Sequence, residues 1–236
     1  MLEQTTAKAA DFRHVRTWIF DLDNTLYRAD CGVFAQIESR MTDFVAAETG
    51  TARGEARRIQ KQLYRDYGTT LNGLMATRGT DPESFLDYVH AIDLGALAPD
   101  PQLGTALARL PGRRTVFTNG CRHHAARILD RLGIAHLFET IWDIRAIGFK
   151  PKPDPSAYAH VVAGAGCAPQ SAAMFDDIPH NLHPAGALGM TTVWLRTPQD
   201  WSAHAGLPAA EIPVAMAGGI DHETADLTAF LNGIRI

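Results

Sequence analysis

The sequence predicts an α/β protein: a doubly wound parallel sheet with a helical unit inserted after its first strand. Three observations predict it. Short apolar, β-branched runs recur along the chain with helix-patterned stretches between them, the alternation that a parallel sheet produces. From Val33 to about Leu94 that alternation gives way to helical periodicity alone, which reads as a separate unit laid over the sheet. Four of the strand-like regions run into polar, reactive residues, and parallel sheets gather ligands beyond the C-terminal ends of their strands.

The elements follow in chain order. Val15-Arg16-Thr17-Trp18-Ile19-Phe20 is β-branched and aromatic and runs straight into Asp21-Leu22-Asp23-Asn24-Thr25, so a buried strand delivers carboxylates at its end. Further strands are expected at Thr115–Phe117, Ile141–Ile144, Ala172–Phe175 and Thr191–Leu195, with helices over Arg122–Leu132 and Pro155–Ala163. In the insertion, Ile37, Met41, Phe44 and Val45 share one helix face, and Ala56, Ile59, Leu63 and Tyr64 share the next. Gly68, Gly73 and Gly79 punctuate it. A third helix is expected at Asp81-Pro82-Glu83, where a capping carboxylate precedes a proline at the first helical position. Pro99-Asp100-Pro101 marks the return to the core, so the division is 1–29 with 96–236 for the core and 30–95 for the insertion.

Composition narrows the class. The chain has 236 residues, enough for one large domain or a core with a modest insertion. With 46% hydrophobic and 20% charged residues, collagen-like, disordered and disulfide-scaffold classes are disfavoured. A net charge of -4 without a long basic run argues against binding a nucleic acid polymer. Cys31, Cys121 and Cys167 are odd in number and widely spaced, which fits a reducing compartment rather than a zinc or dithiol site. Met1–Arg16 has no continuous apolar stretch, so neither a signal peptide nor a membrane span is expected there. The expected location is the cytoplasm, with the first dozen residues frayed.

The strand ends carry the chemistry. Asp21 and Asp23 repel each other unless a cation lies between them or one keeps a proton; the alternative is a capping cluster for a following helix. Thr118-Asn119-Gly120 precedes a helix, where backbone donors suit a phosphate oxygen, although capping is the commoner use of such a triplet. The prolines of Lys150-Pro151-Lys152-Pro153-Asp154-Pro155 hold an extended loop that aims a lysine rigidly. Asp176-Asp177 closes the set, a second carboxylate pair of the kind that magnesium, which takes oxygen ligands, requires. His123, His124, His180 and His183 read as solvated or hydrogen-bonding groups, and Cys121 as a lining residue.

Asp21-Leu22-Asp23-Asn24-Thr25-Leu26, Thr118-Asn119-Gly120, Lys152-Pro153-Asp154-Pro155 and Asp176-Asp177, in that order, resemble the four motifs of the haloacid dehalogenase-like hydrolase superfamily, whose core is Rossmann-like. The insertion resembles that superfamily's C1-type cap. Tyr64–Leu74, Cys31–Met41 and Asp81–Leu86 are similar to its pyrimidine 5′-nucleotidase branch. The resemblance implies a Mg2+-dependent phosphomonoesterase in which Asp21 is the nucleophile and Asp23 the acid. It also implies that Thr118, Asn119 and Lys152 grip the phosphoryl group, and that Asp21, Asp23 (through its backbone carbonyl) and Asp177 hold the metal with Asp176 in support. Lys152 is preferred to Lys150 because it opens a Lys-Pro-x-Pro run with Tyr158 in the usual aromatic place. The implied substrate is a small phosphate ester, UMP or CMP; in the cap, Tyr64, Tyr67 and Leu74 read equally as groups that stack on its base and as packing of the cap itself. A sugar-phosphate phosphatase and a catalytically silent nucleotide-binding regulator are the alternatives; a dehalogenase has no need of the acid that Asp23 supplies.

Overall fold

The computed structural model describes residues 9–196 and 219–236. Its strands are β1 (Thr17–Phe20), β2 (Arg113–Phe117), β3 (Thr140–Trp142), β4 (Ala172–Asp176), β5 (Thr191–Leu195) and β6 (His222–Thr224). They form one sheet in the order β3-β2-β1-β4-β5-β6, every neighbouring pair parallel. β1 and β4 therefore lie side by side at the centre, buried throughout, which is why they read as unbroken apolar runs. Phe20 of β1 and Phe175 of β4 are in register and their rings stack with centroids 4.7 Å apart. The amide of Asp21 then donates to the Phe175 carbonyl at 2.8 Å, so the residues following both strands emerge next to each other.

Between β1 and β2 the chain forms α1 (Val33–Thr49), α2 (Arg53–Tyr67), α3 (Thr70–Arg78), α4 (Pro82–Val89) and α5 (Pro101–Ala108). Asp81 caps α4 by accepting from the Ser84 amide at 2.8 Å with Pro82 in the first turn, as expected; Asp100 caps α5 in the same way from the Leu103 amide at 2.8 Å, ahead of Pro101, where the sequence had marked only the return to the core. α3 departs from expectation, because Gly73 is not a break but lies inside the helix. A Cβ there would sit 2.7 Å from Leu63 Cβ and Cδ2, so the missing side chain lets α3 close on α2. Gly73→Ala is expected to lower stability by about 1–3 kcal/mol through that overlap, measured by denaturant unfolding; an unchanged midpoint would contradict the packing.

The remaining helices are α6 (Arg122–Leu132), α7 (Pro155–Ala165), α8 (Pro179–Ala187) and α9 (Leu227–Gly233). β3 ends earlier than expected because Asp143 turns the chain, its carboxylate accepting from the Arg122 amide at 2.9 Å and the Ala146 amide at 3.0 Å. β6 is short and polar on the sheet's edge, which hid it from a search for apolar runs. Frayed ends were expected through residue 12, but Phe12 is fully buried and its amide donates to the Arg235 carbonyl at 2.8 Å; the rest of that expectation, residues 1–8, lies outside the described residues. Among the described residues no helix is long and apolar enough to cross a membrane.

Candidate active site

Asp21, Thr118, Asn119, Lys152, Asp176 and Asp177 come together beyond the ends of β1, β2 and β4. Lys152 is only 2% exposed. Its Nζ donates to Asp21 Oδ1 and to Asp176 Oδ2, each at 2.7 Å, and it lies over the Phe117 ring, 5.1 Å from its centroid. The loop is held by a reciprocal pair: the Lys152 amide donates to Asn119 Oδ1 at 2.8 Å and Asn119 Nδ2 donates to the Lys152 carbonyl at 3.1 Å. The peptide bond from Lys152 to Pro153 is cis. Lys150, by contrast, is exposed. Asn119 is thereby a clamp on the lysine loop, and Thr118 Oγ1 accepts from the Gly120 amide at 2.9 Å, so that donor is engaged within its own turn.

The charges are finely opposed. Burial pushes the Asp21 carboxyl up to about 7, against the pull of Lys152 and with a push from Asp176 and Asp23. Burial opposes the charge on Lys152, but Asp176 and Asp21 more than offset it and raise its pKa. Asp176 is well supplied with donors: besides Lys152 it accepts from the Ile178 amide at 2.9 Å and from Asn181 Nδ2 at 3.0 Å. Asp177 differs, for burial and then the charges of Asp21 and Asp176 hold its carboxyl well above the ordinary range. One oxygen from each of Asp21, Asp176 and Asp177 lies within 4.8 Å of the others, all three residues being buried. Three hard oxygen donors around a point short of positive charge fit a divalent cation such as magnesium.

Asp23 does not join that cluster. Its Oδ1 accepts from the Tyr27 hydroxyl at 2.6 Å and faces His124 Nε2 at 2.9 Å. Burial would raise its pKa, but the His124 charge and the hydrogen bonds from His124 and Tyr27 outweigh that and lower it. The chain leaves the strand at Phe20, and the two carboxylates find different partners, Asp21 with Lys152 and Asp23 with Tyr27 and His124.

A cavity of about 210 Å³ opens from these groups toward the insertion, where Phe34, Ile37, Met41, Gln60, Tyr64 and Phe85 line it. Of Tyr64, Tyr67 and Leu74, read as stacking on a base or packing the cap, Tyr64 alone lines this cavity. Tyr67, at the end of α2, is 41% exposed, and Leu74 is fully buried among the helices of the insertion; neither lines the cavity. The Tyr64–Leu74 stretch spans the turn between α2 and α3, which sends its side chains in different directions. Phe34 and Gln60 were missed, although Phe34, Ile37 and Met41 repeat at the spacing of one helix face. Gln60 is held through Oε1, which lies 2.6 Å from the Thr42 hydroxyl. His124, read as solvated or hydrogen-bonding, is the second of these, fully buried and paired with Asp23, a partner that the sequence did not point to; Cys121, read as a lining residue, caps α6 through Sγ.

Comparison with known proteins places these features. The chain is 31% identical over 194 residues to Phosphate metabolism protein 8 of Saccharomyces cerevisiae, covering 74% of this chain and 60% of the yeast protein, so it spans about three fifths of that relative's length. Two solved structures are similar at low identity and share the fold. A HAD phosphatase from Thermococcus onnurineus has a TM-score of 0.59 at 16% identity, over 94% of this chain and 100% of that one. An L-2-haloacid dehalogenase from Xanthobacter autotrophicus with chloropropionic acid covalently bound has a TM-score of 0.53 at 17% identity, over 94% and 100%. The family model for haloacid dehalogenase-like hydrolases matches residues 15–189, a span that runs from the approach to β1 past α8 and holds every strand-end residue described above, and the chain belongs to that family.

Proposed function

We propose that the protein is a magnesium-dependent phosphomonoesterase working through an aspartyl-phosphate, with a pyrimidine nucleoside 5′-monophosphate such as UMP or CMP as its substrate and residues 30–95 as the cap that meets the leaving group. The observation that carries this reading is the buried Lys152, 2.7 Å from both Asp21 and Asp176, beside Thr118 and Asn119 in one cavity. A single cation among carboxylates leaves Asp21 ready to attack and offers a positive group to the phosphoryl oxygens. The yeast relative's name, with its reference to phosphate metabolism, points the same way.

In this reading Asp21 attacks phosphorus through a carboxylate oxygen and the ester P–O bond breaks, its electron pair leaving with the alkoxide. The proton on Asp23 passes to that oxygen. Water then attacks phosphorus, Asp23 takes the water's proton, and breaking the acyl phosphate P–O bond frees phosphate and restores Asp21. Without substrate Asp23 is held toward the carboxylate form; an incoming phosphate dianion opposes that ionisation and favours the acid form when it is needed. Lys152 and Thr118 hold equatorial oxygens where charge is concentrated, and Asn119 keeps Lys152 in place. Asp21, Asp177 and the Asp23 backbone carbonyl would hold magnesium, with Asp176 in support. Magnesium, when bound, neutralises charge shared between phosphate and carboxylates.

The fold does not choose between esters and haloacids, since similar structures include both a phosphatase and a dehalogenase. Asp23 favours the ester, because an alkoxide needs a proton and a halide does not. The cavity's Phe34, Tyr64 and Phe85 with the amide of Gln60 suit a flat, hydrogen-bonding ring better than a polyol. The test is a phosphate-release screen over UMP, CMP, AMP and sugar phosphates, with a halide-release assay on 2-chloropropionate alongside. Phosphate release that stops in excess chelator, returns with magnesium and is fastest on pyrimidine nucleotides is expected. Release of halide without phosphate, or of neither, overturns the reading, and a preference for sugar phosphates overturns the nucleotide assignment.

A further inference from the structure

We infer that His124 is a positioning residue for Asp23, fixing which of its oxygens exchanges the proton, and that His90 of the insertion braces it; this rests on the phosphomonoesterase reading. His124 sits in the first turn of α6, immediately after the Thr118–Gly120 loop, and is fully buried. Its Nε2 lies 2.9 Å from Asp23 Oδ1, the same oxygen that accepts from the Tyr27 hydroxyl at 2.6 Å. An ionised carboxylate can only accept, so Nε2 carries the hydrogen. Two donors on Oδ1 fix the rotation of the carboxyl group and leave Oδ2 as the oxygen that gives and takes the proton.

The surroundings support positioning over simple packing. His124 Nδ1 is buried with no hydrogen-bond partner, an expense that an apolar side chain of similar size would avoid if filling space were the task. The His90 ring lies parallel to it, centroids 4.5 Å apart and planes 13° from coincidence. His90 is in turn held through Nδ1, 3.2 Å from Cys121 Sγ, and Arg127 Nη1 donates to the His90 carbonyl at 2.9 Å. Burial, and then the charge of His124, lowers the His90 pKa to about 3, so a neutral ring backs His124. His90 follows α4 directly, which joins the insertion to the proton-transfer residue through one stacked pair.

A positioning role has a signature that loss of packing lacks. kcat/KM covers the steps through departure of the first product, so misaiming Asp23 should penalise poor alkoxide leaving groups and spare good aryl ones. The experiment measures kcat/KM for the alkyl phosphate that the wild type cleaves fastest and for para-nitrophenyl phosphate, in folded His124→Asn, His124→Gln and Tyr27→Phe proteins. Asparagine places its amide near the former Nδ1 and cannot reach Asp23, whereas the glutamine amide can reach the former Nε2 position. His124→Asn is expected to lower the alkyl-to-aryl ratio about thirtyfold, a fraction of the 10²–10⁴ that general acid catalysis supplies. His124→Gln should stay within about fivefold of the wild-type ratio. The inference is overturned if the ratio in His124→Asn stays within about threefold of wild type, if glutamine fails to restore it, or, should the asparagine variant not fold, if Tyr27→Phe leaves it unchanged. Wild-type protein that cleaves no phosphate ester sinks the underlying reading as well; an active enzyme with equal losses on both substrates sinks this inference alone.

Discussion

Asp21→Asn is expected to reduce phosphate release by at least about 10⁴-fold while leaving the protein folded and no less stable. The amide keeps the shape of the side chain but has no oxygen able to displace an alkoxide from phosphorus. Removing one member of a concerted group of residues costs nearly the whole of their joint effect, so a partial loss is not anticipated. The stability half follows from the carboxyl raised to about 7 by burial and by its neighbours Asp176 and Asp23. A group whose folded pKa stands above its unfolded value adds stability at low pH and loses it as pH rises through the folded value. The metal-free wild type should therefore lose stability through this group from about pH 4, where the unfolded carboxyl ionises, up to about pH 7, where the folded one does. Asp21→Asn should escape that loss, its melting temperature matching or exceeding wild type at pH 8 in chelator. Activity within about tenfold of wild type would remove Asp21 from the role of nucleophile.

Lys152→Met should combine the largest loss of stability with a loss of activity. Its ammonium is fully enclosed between Asp21 and Asp176, and deleting one partner of a buried ionic group typically costs about 3–5 kcal/mol because the remaining charges stay buried and unpaired. Without the pull of the lysine the Asp21 carboxyl rises further, so the sign is again that of a raised group: the variant regains stability as pH falls from about 8 toward 4, where a proton replaces the missing cation. Denaturant unfolding across that range in chelator measures it. Phosphate release should fall by about 10³-fold, the scale of one preorganised charge on a developing anion. A variant as stable as wild type at pH 8 would mean that the buried carboxylates are neutralised by something other than Lys152.

Much of the site was legible in the sequence because buried parallel strands are continuous apolar runs, and the residue at which the run stops marks the ligand edge of the sheet. Asp21, Thr118 and Asp176 could each be found that way, and the adjacency of β1 and β4 brings two of them together. Lys152 was told from Lys150 by its motif, and the structure buries the one and exposes the other. What stayed hidden depends on contacts between elements. Gly73 looked like a helix break because only the approach of Leu63 shows why a glycine is used mid-helix. Helical periodicity marked Ile37 and Met41 as inward-facing, yet an inward face that packs on a helix and one that lines a cavity share the same spacing. The residue types of Tyr67 and Leu74 suit stacking on a base and packing the cap alike and say nothing of direction; Leu74 packs. The sequence allows His124 to be solvated or hydrogen-bonded and does not name its partner, because Asp23 is 101 residues away in the chain.

A covalent bond between phosphorus and Asp21 is the step that defines the proposed chemistry. Wild-type protein mixed with magnesium and a phosphate ester radiolabelled at phosphorus, quenched in acid within one turnover and digested, should carry the label on the peptide containing Asp21, and Asp21→Asn protein should carry none. An active enzyme that releases phosphate without ever holding label, or holds it on a peptide lacking Asp21, would contradict the account.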